Sequence, residues 1–346
     1  MKKRTLDEFK GIHNPDPDVL YLRNRVAELE ARRADERNAT GEALETLHSV
    51  LSAVQSCGPV KMEYKRGVDP SGKPCIHVVH LTDWHYGAVV DKDEVEGFGE
   101  FSPVIAQARV ADLQHKLLRK TEAQRHGYNV PHLHIIGTAD YISGDIHQEL
   151  QVTNAFPAPV QAVRCGYLLG GFIAGMAPHF ETVTVDLVTL DNHGRLTRKP
   201  QASQGGINNW GYVTAEVAAQ HVRDIQSVRV RVHAKPSALV AVGPERYLCF
   251  HGHQIKGWAG IPYYGLDRRT SMEAVKRMGL PDVAFTRLIS GHLHHAVDGM
   301  YWRTGGSLSG TDANDHNNGR KSDPHQTAWF VHPEHGEFDW TRWVLT

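Results

Sequence analysis

The stretch Ile76-His-Val-Val-His-Leu-Thr-Asp83-Trp-His85-Tyr-Gly87 decides how the chain is read. Its apolar, β-branched run is short and continuous, the pattern of a buried strand. Side chains two apart on a strand share a face, so Asp83 and His85 leave its end pointing the same way. A carboxylate beside an imidazole above a sheet edge suits a divalent cation. The same pair also occurs in an ordinary strand-end turn whose Asp caps a helix, so the rest of the chain must decide.

Downstream, Ser102-Pro103 supplies an N-cap and a first-turn proline. They predict a helix to about Arg125 with Val104, Ile105, Val110, Leu113 and Leu117 on one face. Residues 132–138 read as a second strand leading into Ala139-Asp140-Tyr-Ile-Ser-Gly-Asp145-Ile-His147, and 157–176 as a buried helix. The most apolar part of that helix, 166–177, is about a dozen residues, too short to span a bilayer. A third strand, 182–190, ends at Asp191-Asn192-His193-Gly194. After a helix at 213–222 and a strand at 228–232, strand 246–250 ends at His251-Gly-His253, and strand 283–289 at Gly291-His292-Leu-His294. Trp302 and residues 327–331 and 338–344 predict closing strands. Strands alternating with helices predict a layered α/β domain. Ligands in such sheets bind beyond the carboxyl ends of strands, so these residues are expected to converge.

Composition sets the bounds. At 346 residues, 40% apolar and 22% charged, the chain reads as soluble and globular, with no membrane association expected. Lys plus Arg (38) nearly cancels Asp plus Glu (39), which excludes a whole-protein basic field for nucleic acid but not a local patch. Four cysteines lie far apart without a C-x-x-C pair, and the charged N-terminus shows no secretory signal, so a reducing, cytoplasmic setting is expected. Residues 1–60 read as a helical appendage to a domain of 61–346. Leu22, Val26 and Leu29, then Leu44, Leu47, Leu51 and Val54 after a break near Asn38 to Gly41, predict two short amphipathic helices. They are expected either to form a self-association element, giving a homo-oligomer, or to pack on the main domain.

The ordered set D-x-H, G-D, N-H, an isolated His after a strand, and G-H-x-H resembles the calcineurin-like metallophosphoesterase superfamily over roughly residues 76–310. Within it the stretches G-D-I-H-Q-E-L, N-H-G-R-L-T and G-S-L-S-G look most like phage and plasmid-type phosphoesterases related to double-strand-break repair nucleases. The resemblance implies a four-layer α/β/β/α sandwich holding two divalent cations, Mn foremost, with Fe, Zn, Ni or Co as alternatives. It implies Asp83 and His85 as ligands of the first metal, Asn192 and His251 of the second, and His292 and His294 completing the pair, His294 on the first. The aspartate bridging both has two candidates: Asp140, nearer the strand end and favoured, and Asp145, in the literal G-D text. Asp191 stands where the family usually has glycine.

The expected chemistry is hydrolysis of phosphodiesters, DNA or nucleotide, by a hydroxide shared between the two cations. The enzyme is thus expected to be a DNA nuclease. A phosphomonoesterase or nucleotide phosphatase is the alternative, and a non-catalytic metal-stabilised binding module a third. His193 is expected to act on the leaving oxygen or stabilise the transition state, and Arg195 and His253 to face the substrate. Arg198, Lys199 and the pair Arg268-Arg269 are further candidates for phosphate contact, and Tyr86 and Trp210 for base stacking.

Overall fold

The computed structural model describes residues 17–56, 67–69, 71–146, 148–197, 199, 205–255 and 261–346. The chain divides into two units, 1–66 and 67–346. Within the first, α1 (Pro17–Ser56) is one unbroken 40-residue helix, not the expected pair of short ones. Asn38 and Gly41 lower helix propensity, by up to about 1 kcal/mol for the glycine, but neither removes a backbone N–H as proline would. Thr40 and Thr46 instead return their hydroxyls to the carbonyls of Glu36 (2.7 Å) and Glu42 (2.8 Å), continuing the helix.

The second unit is built on two sheets. One carries β1 (Pro74–Leu81), β2 (Asn129–Gly137), β3 (Thr182–Val188), β4 (Val228–His233), β10 (His325–His332) and β11 (Gly336–Val344), in the order β11-β10-β1-β2-β3-β4. The other carries β5 (Ala238–Val242), β6 (Glu245–Cys249), β7 (Arg287–Ser290), β8 (Val297–Asp298) and β9 (Trp302–Thr304), in the order β5-β6-β7-β9-β8. Strands β1 to β4 run parallel, with Val79 opposite Ile135 and Ile135 opposite Val185.

The central strands are apolar on both faces, as a doubly covered sheet requires. Val79, Leu81, Ile135, Val183 and Val185 face α2 (Pro103–Arg125), α4 (Ala158–Met176) and α5 (Trp210–Val222). Val78, Ile136 and Val188 face the second sheet through Val240, Tyr247, Cys249 and Ile289. The far side of that sheet is covered by α6 (Tyr263–Lys276), whose Leu266 packs with Leu288 and Trp302. These are the four layers α/β/β/α.

Ser102 caps α2 as expected, its Oγ accepting from the Ile105 N–H at 3.3 Å. Val104 is exposed, and Ala106 and Arg109 take the inward face with Val110, Leu113 and Leu117. Helix α4 and the turn after it, Ala158–His179, are 22 residues long and apolar enough to cross a membrane by length and composition, more than the dozen-residue stretch suggested. Here Leu169, Phe172, Ile173 and Met176 are buried against the sheet. Two short elements complete the unit, α3 (Leu150–Thr153) and α7 (Ala313–Asn317).

Candidate metal centre

Five strand ends meet at one edge of the sandwich. Because β1, β2 and β3 are parallel, Asp83, Asp140 and Asn192 emerge on the same side. Strands β6 and β7, parallel in the other sheet, bring His251 and His292 to meet them. Eight non-glycine residues among those described have positive φ, and six sit here: Asp83 (52°), His85 (45°), Ala139 (70°), Asp140 (45°), His292 (71°) and His294 (56°). Left-handed backbone costs roughly 1–2 kcal/mol per residue. Strain of this kind clusters at functional sites, which makes these strand ends the candidate.

Backbone hydrogen bonds lock the loops together. Asp83 N donates to Ala139 O (3.1 Å) and His85 N to Asp140 O (3.0 Å). The Asp83 carboxylate accepts the His292 N–H at 3.1 and 2.9 Å, and the Thr82 hydroxyl at 2.6 Å. A Cβ at Gly291 would lie 2.4 Å from Asp83 Oδ2 and 1.9 Å from Thr82 Oγ1, so only glycine fits before His292.

Four overlapping groups of ligand atoms result, each with its atoms within 4.8 Å of one another: Asp83, His85 and His294; His85, Asp140 and His193; Asp140, His251 and His292; and His294, Asp312 and Asp315. Asp140 belongs to two of them, and Asp145 to none. Asp145 lies half-buried in the following loop, its carbonyl accepting from Gln151 Nε2 at 2.9 Å.

The hydrogen bonds assign the ring tautomers. His251 Nδ1–H donates to the Thr138 carbonyl at 2.9 Å, which leaves a lone pair on Nε2. That Nε2 lies 2.9 Å from Asp140 Oδ2, both buried: two acceptors meet there in the neutral ring, and an ion pair forms in the protonated one. His294 Nδ1–H donates to Asp315 at 2.7 Å, and its Nε2 lies 3.0 Å from His85 Nε2 and 3.6 Å from Asp83 Oδ1. Asn192 Oδ1 and His253 Nδ1 are buried without a hydrogen-bond partner. Buried acceptors aimed at one another or at nothing are costly unless a cation lies between them.

The protonation energetics point the same way. Although burial opposes it, Asp140 with Asp83 raises His251 to about 9, and Asp315 with Asp83 raises His294 to about 10. Against the same burial, His85, His251 and His294 lower Asp83 to about 2, and Asp140 is held well below the carboxylate range chiefly by His251. The cluster demands positive charge, which either protons or metal ions supply. The mixed imidazole, carboxylate and amide-oxygen donors fit first-row divalent ions.

The other expected residues fall as follows. His193 lies against the Asp140 group, its ring 4.6 Å from that of His85, and its Nδ1–H donates to Ser143 O at 2.7 Å. Burial lowers it to about 4, so at neutral pH its Nε2 presents a lone pair and not a proton. His253 sits 5.6 Å, ring to ring, from His251. Arg195 turns back on its own loop, donating to Asn192 O (2.8 Å) and Thr197 O (2.9 Å). Arg198 lies outside the described residues, and Lys199 is exposed. Arg269 pairs with Glu273 at 2.8 Å on α6, one turn away. Tyr86 is buried, and Trp210 is half-buried with one side packed on the core.

Sequence reading missed two carboxylates. Asp191 accepts from Asp140 N (2.9 Å), Gly194 N (2.6 Å) and Asn209 Nδ2 (3.0 Å), so it braces two ligand loops where a glycine brings nothing. Burial and then Asp140 raise it to about 6. Asp315, on α7, orients His294; its only sequence signal is the N-cap pattern Asp312-x-x-Asp315, the Asp312 side chain accepting Asp315 N at 2.8 Å. The cleft above the ligands is about 620 Å³, and among the described residues it is lined by Glu94, Glu149, Asp312 and Asp315 together with Arg320 and the histidines His85, His193, His292 and His294.

No protein-family model and no curated protein matches this chain. Solved structures similar to it include wild-type Vps29 complexed with Zn²⁺ from Entamoeba histolytica, at 12% identity over 78% of this chain and 99% of that one, with a TM-score of 0.26. Vacuolar protein sorting 29 from Cryptosporidium parvum aligns at 11% identity over 78% and 98%, with a TM-score of 0.30. A predicted phosphoesterase from Streptococcus pneumoniae aligns at 11% over 52% and 90%, with a TM-score of 0.25. What the site does must follow from this chain's own residues.

Proposed function

We propose that the chain is a dinuclear metal-dependent phosphoesterase acting on phosphodiesters. One observation carries the reading: Asp140 is shared between two groups of ligand atoms, with His85 and His193 in one and His251 and His292 in the other, and on the same cleft Asn192 Oδ1 is buried without a hydrogen-bond partner. Asp83, His85 and His294 with Asp140 would hold one ion, and Asp140 with Asn192, His251 and His292 the other. Two such ions, with Mn²⁺ the first candidate, would supply Lewis-acid neutralisation of phosphoryl oxygens and a nucleophilic water at neutral pH. The chain's own part is positioning. The Ser143 carbonyl takes the His193 Nδ1–H, which leaves Nε2 of the neutral ring as the acceptor that would hold the attacking water or take its proton. Thr138 and Asp315 fix His251 and His294 in the same way.

The carboxylates Glu94, Glu149, Asp312 and Asp315 on the described lining favour a compact substrate, a nucleotide or short oligonucleotide diester, over a long DNA duplex. A phosphomonoester is the second reading, on the same observation. Purified protein with Mn²⁺ should hydrolyse bis-p-nitrophenyl phosphate faster than p-nitrophenyl phosphate. His193→Ala should lower kcat by about 10²–10⁴ with metal content unchanged. Faster monoester turnover would favour the second reading, and full activity in His193→Ala would remove that residue from the chemistry.

A further inference from the structure

Helix α1 carries a seam that can pair with itself. From Val19 to Val50 its seam residues step by three and four in alternation, the heptad spacing of a two-stranded coiled coil, and all are exposed. A 40-residue helix is about 60 Å long, and one with an uncovered apolar seam gains little stability alone. The seam is apolar at both ends and charged in the middle, at Arg33 and Glu36.

We propose that α1 pairs with α1 of a second copy as an antiparallel coiled coil, with its two-fold axis between Ala34 and Asp35. That register sets Val19 against Val50 of the second copy, Leu22 against Leu47, Val26 against Ala43 and Leu29 against Thr40. At the centre it sets Arg33 against Glu36, twice by symmetry, and the flanking Glu30 comes alongside Arg37. Parallel pairing instead sets Arg33 against Arg33 and Glu36 against Glu36, like charges in a desolvated seam. A polar layer there costs stability and fixes orientation. The contacts Glu36 and Arg25 now make, with Arg32 (3.5 Å) and Glu28 (2.7 Å) on the same helix, are exposed and weak. A patch complementary to itself under a two-fold axis needs no other protein.

The test is sedimentation equilibrium of the full chain at micromolar concentration. The expected mass is about twice 38.6 kDa. Arg33→Glu faces Glu36 of the second copy with a like charge and should raise the dimer Kd at least about tenfold. Adding Glu36→Arg to the same chain should restore it. A parallel dimer keeps like charges opposed in all three chains, so equal Kd values would overturn the proposal, as would a monomeric wild type. In a Cys57→Ser background, Leu22→Cys chains should oxidise onto Leu47→Cys chains. Self-linking of each variant instead would also overturn it. Unchanged helical circular dichroism confirms that each variant is folded.

Discussion

Asp140 is where the site can be read most closely, because it is the one carboxylate common to two ligand groups. It follows Ala139, whose φ of 70° is one a glycine would adopt without cost. Burying an alanine there stores strain that the bond from Asp83 N to Ala139 O holds in place. Ala139→Gly should therefore leave stability unchanged or raise it by up to about 1 kcal/mol, strain relief set against the freer unfolded chain. A loss of more than about 1 kcal/mol in urea denaturation would show that the backbone is unstrained. That these residues would gather was legible because each ends a strand with the hydrogen-bonding groups a cation needs. Asp191 and Asp315 were not legible. Their work is to orient other side chains, and neither spacing nor neighbouring text distinguishes such an aspartate from a turn residue.

At the scale of elements, strands with β-branched runs and the capped helix α2 declared themselves, whereas β5 and α6 did not. Five residues, Ala238-Leu-Val-Ala-Val242, are too few to show a period, and α6 buries only Leu266, Thr270 and Glu273 along 14 residues. Helix α1 misled in the other direction, since Asn38 and Gly41 look like punctuation yet a helix without proline runs through them. The three strands β2, β3 and β4 are also tied by charge. Buried Asp186 accepts from His134 Nε2 (2.7 Å), His233 Nε2 (2.6 Å) and Arg231 Nε (2.7 Å). Burial alone would raise this carboxyl, but these bonds hold it far below the usual range. A folded-state value below the unfolded value of about 3.9 stabilises fully above it, and that stabilisation is lost as pH falls. Wild-type stability should accordingly drop more steeply between about pH 5 and 3 than that of Asp186→Asn, which starts lower by about 3–5 kcal/mol. Parallel curves from chemical denaturation at each pH would contradict this.

For the whole molecule, the two sheets meet at one edge, where four strand ends from two layers line a single cleft and the fifth, at His251, lies buried beside them. The four-layer architecture was expected from the order of motifs, which is a property of the entire chain and not of any one segment. The charge of the cleft was not legible, since a net charge of -1 says nothing of how Glu94, Glu149, Asp312 and Asp315 gather around it. The claim on which everything else rests is that two ions are held together by Asp140. Metal content per chain after Mn²⁺ loading and desalting, read by atomic emission for wild type, Asp140→Ala and Asp145→Ala, tests it most directly. The account predicts about two ions in wild type and Asp145→Ala, and one or fewer in Asp140→Ala. No bound metal in wild type, or two retained in Asp140→Ala, would contradict it.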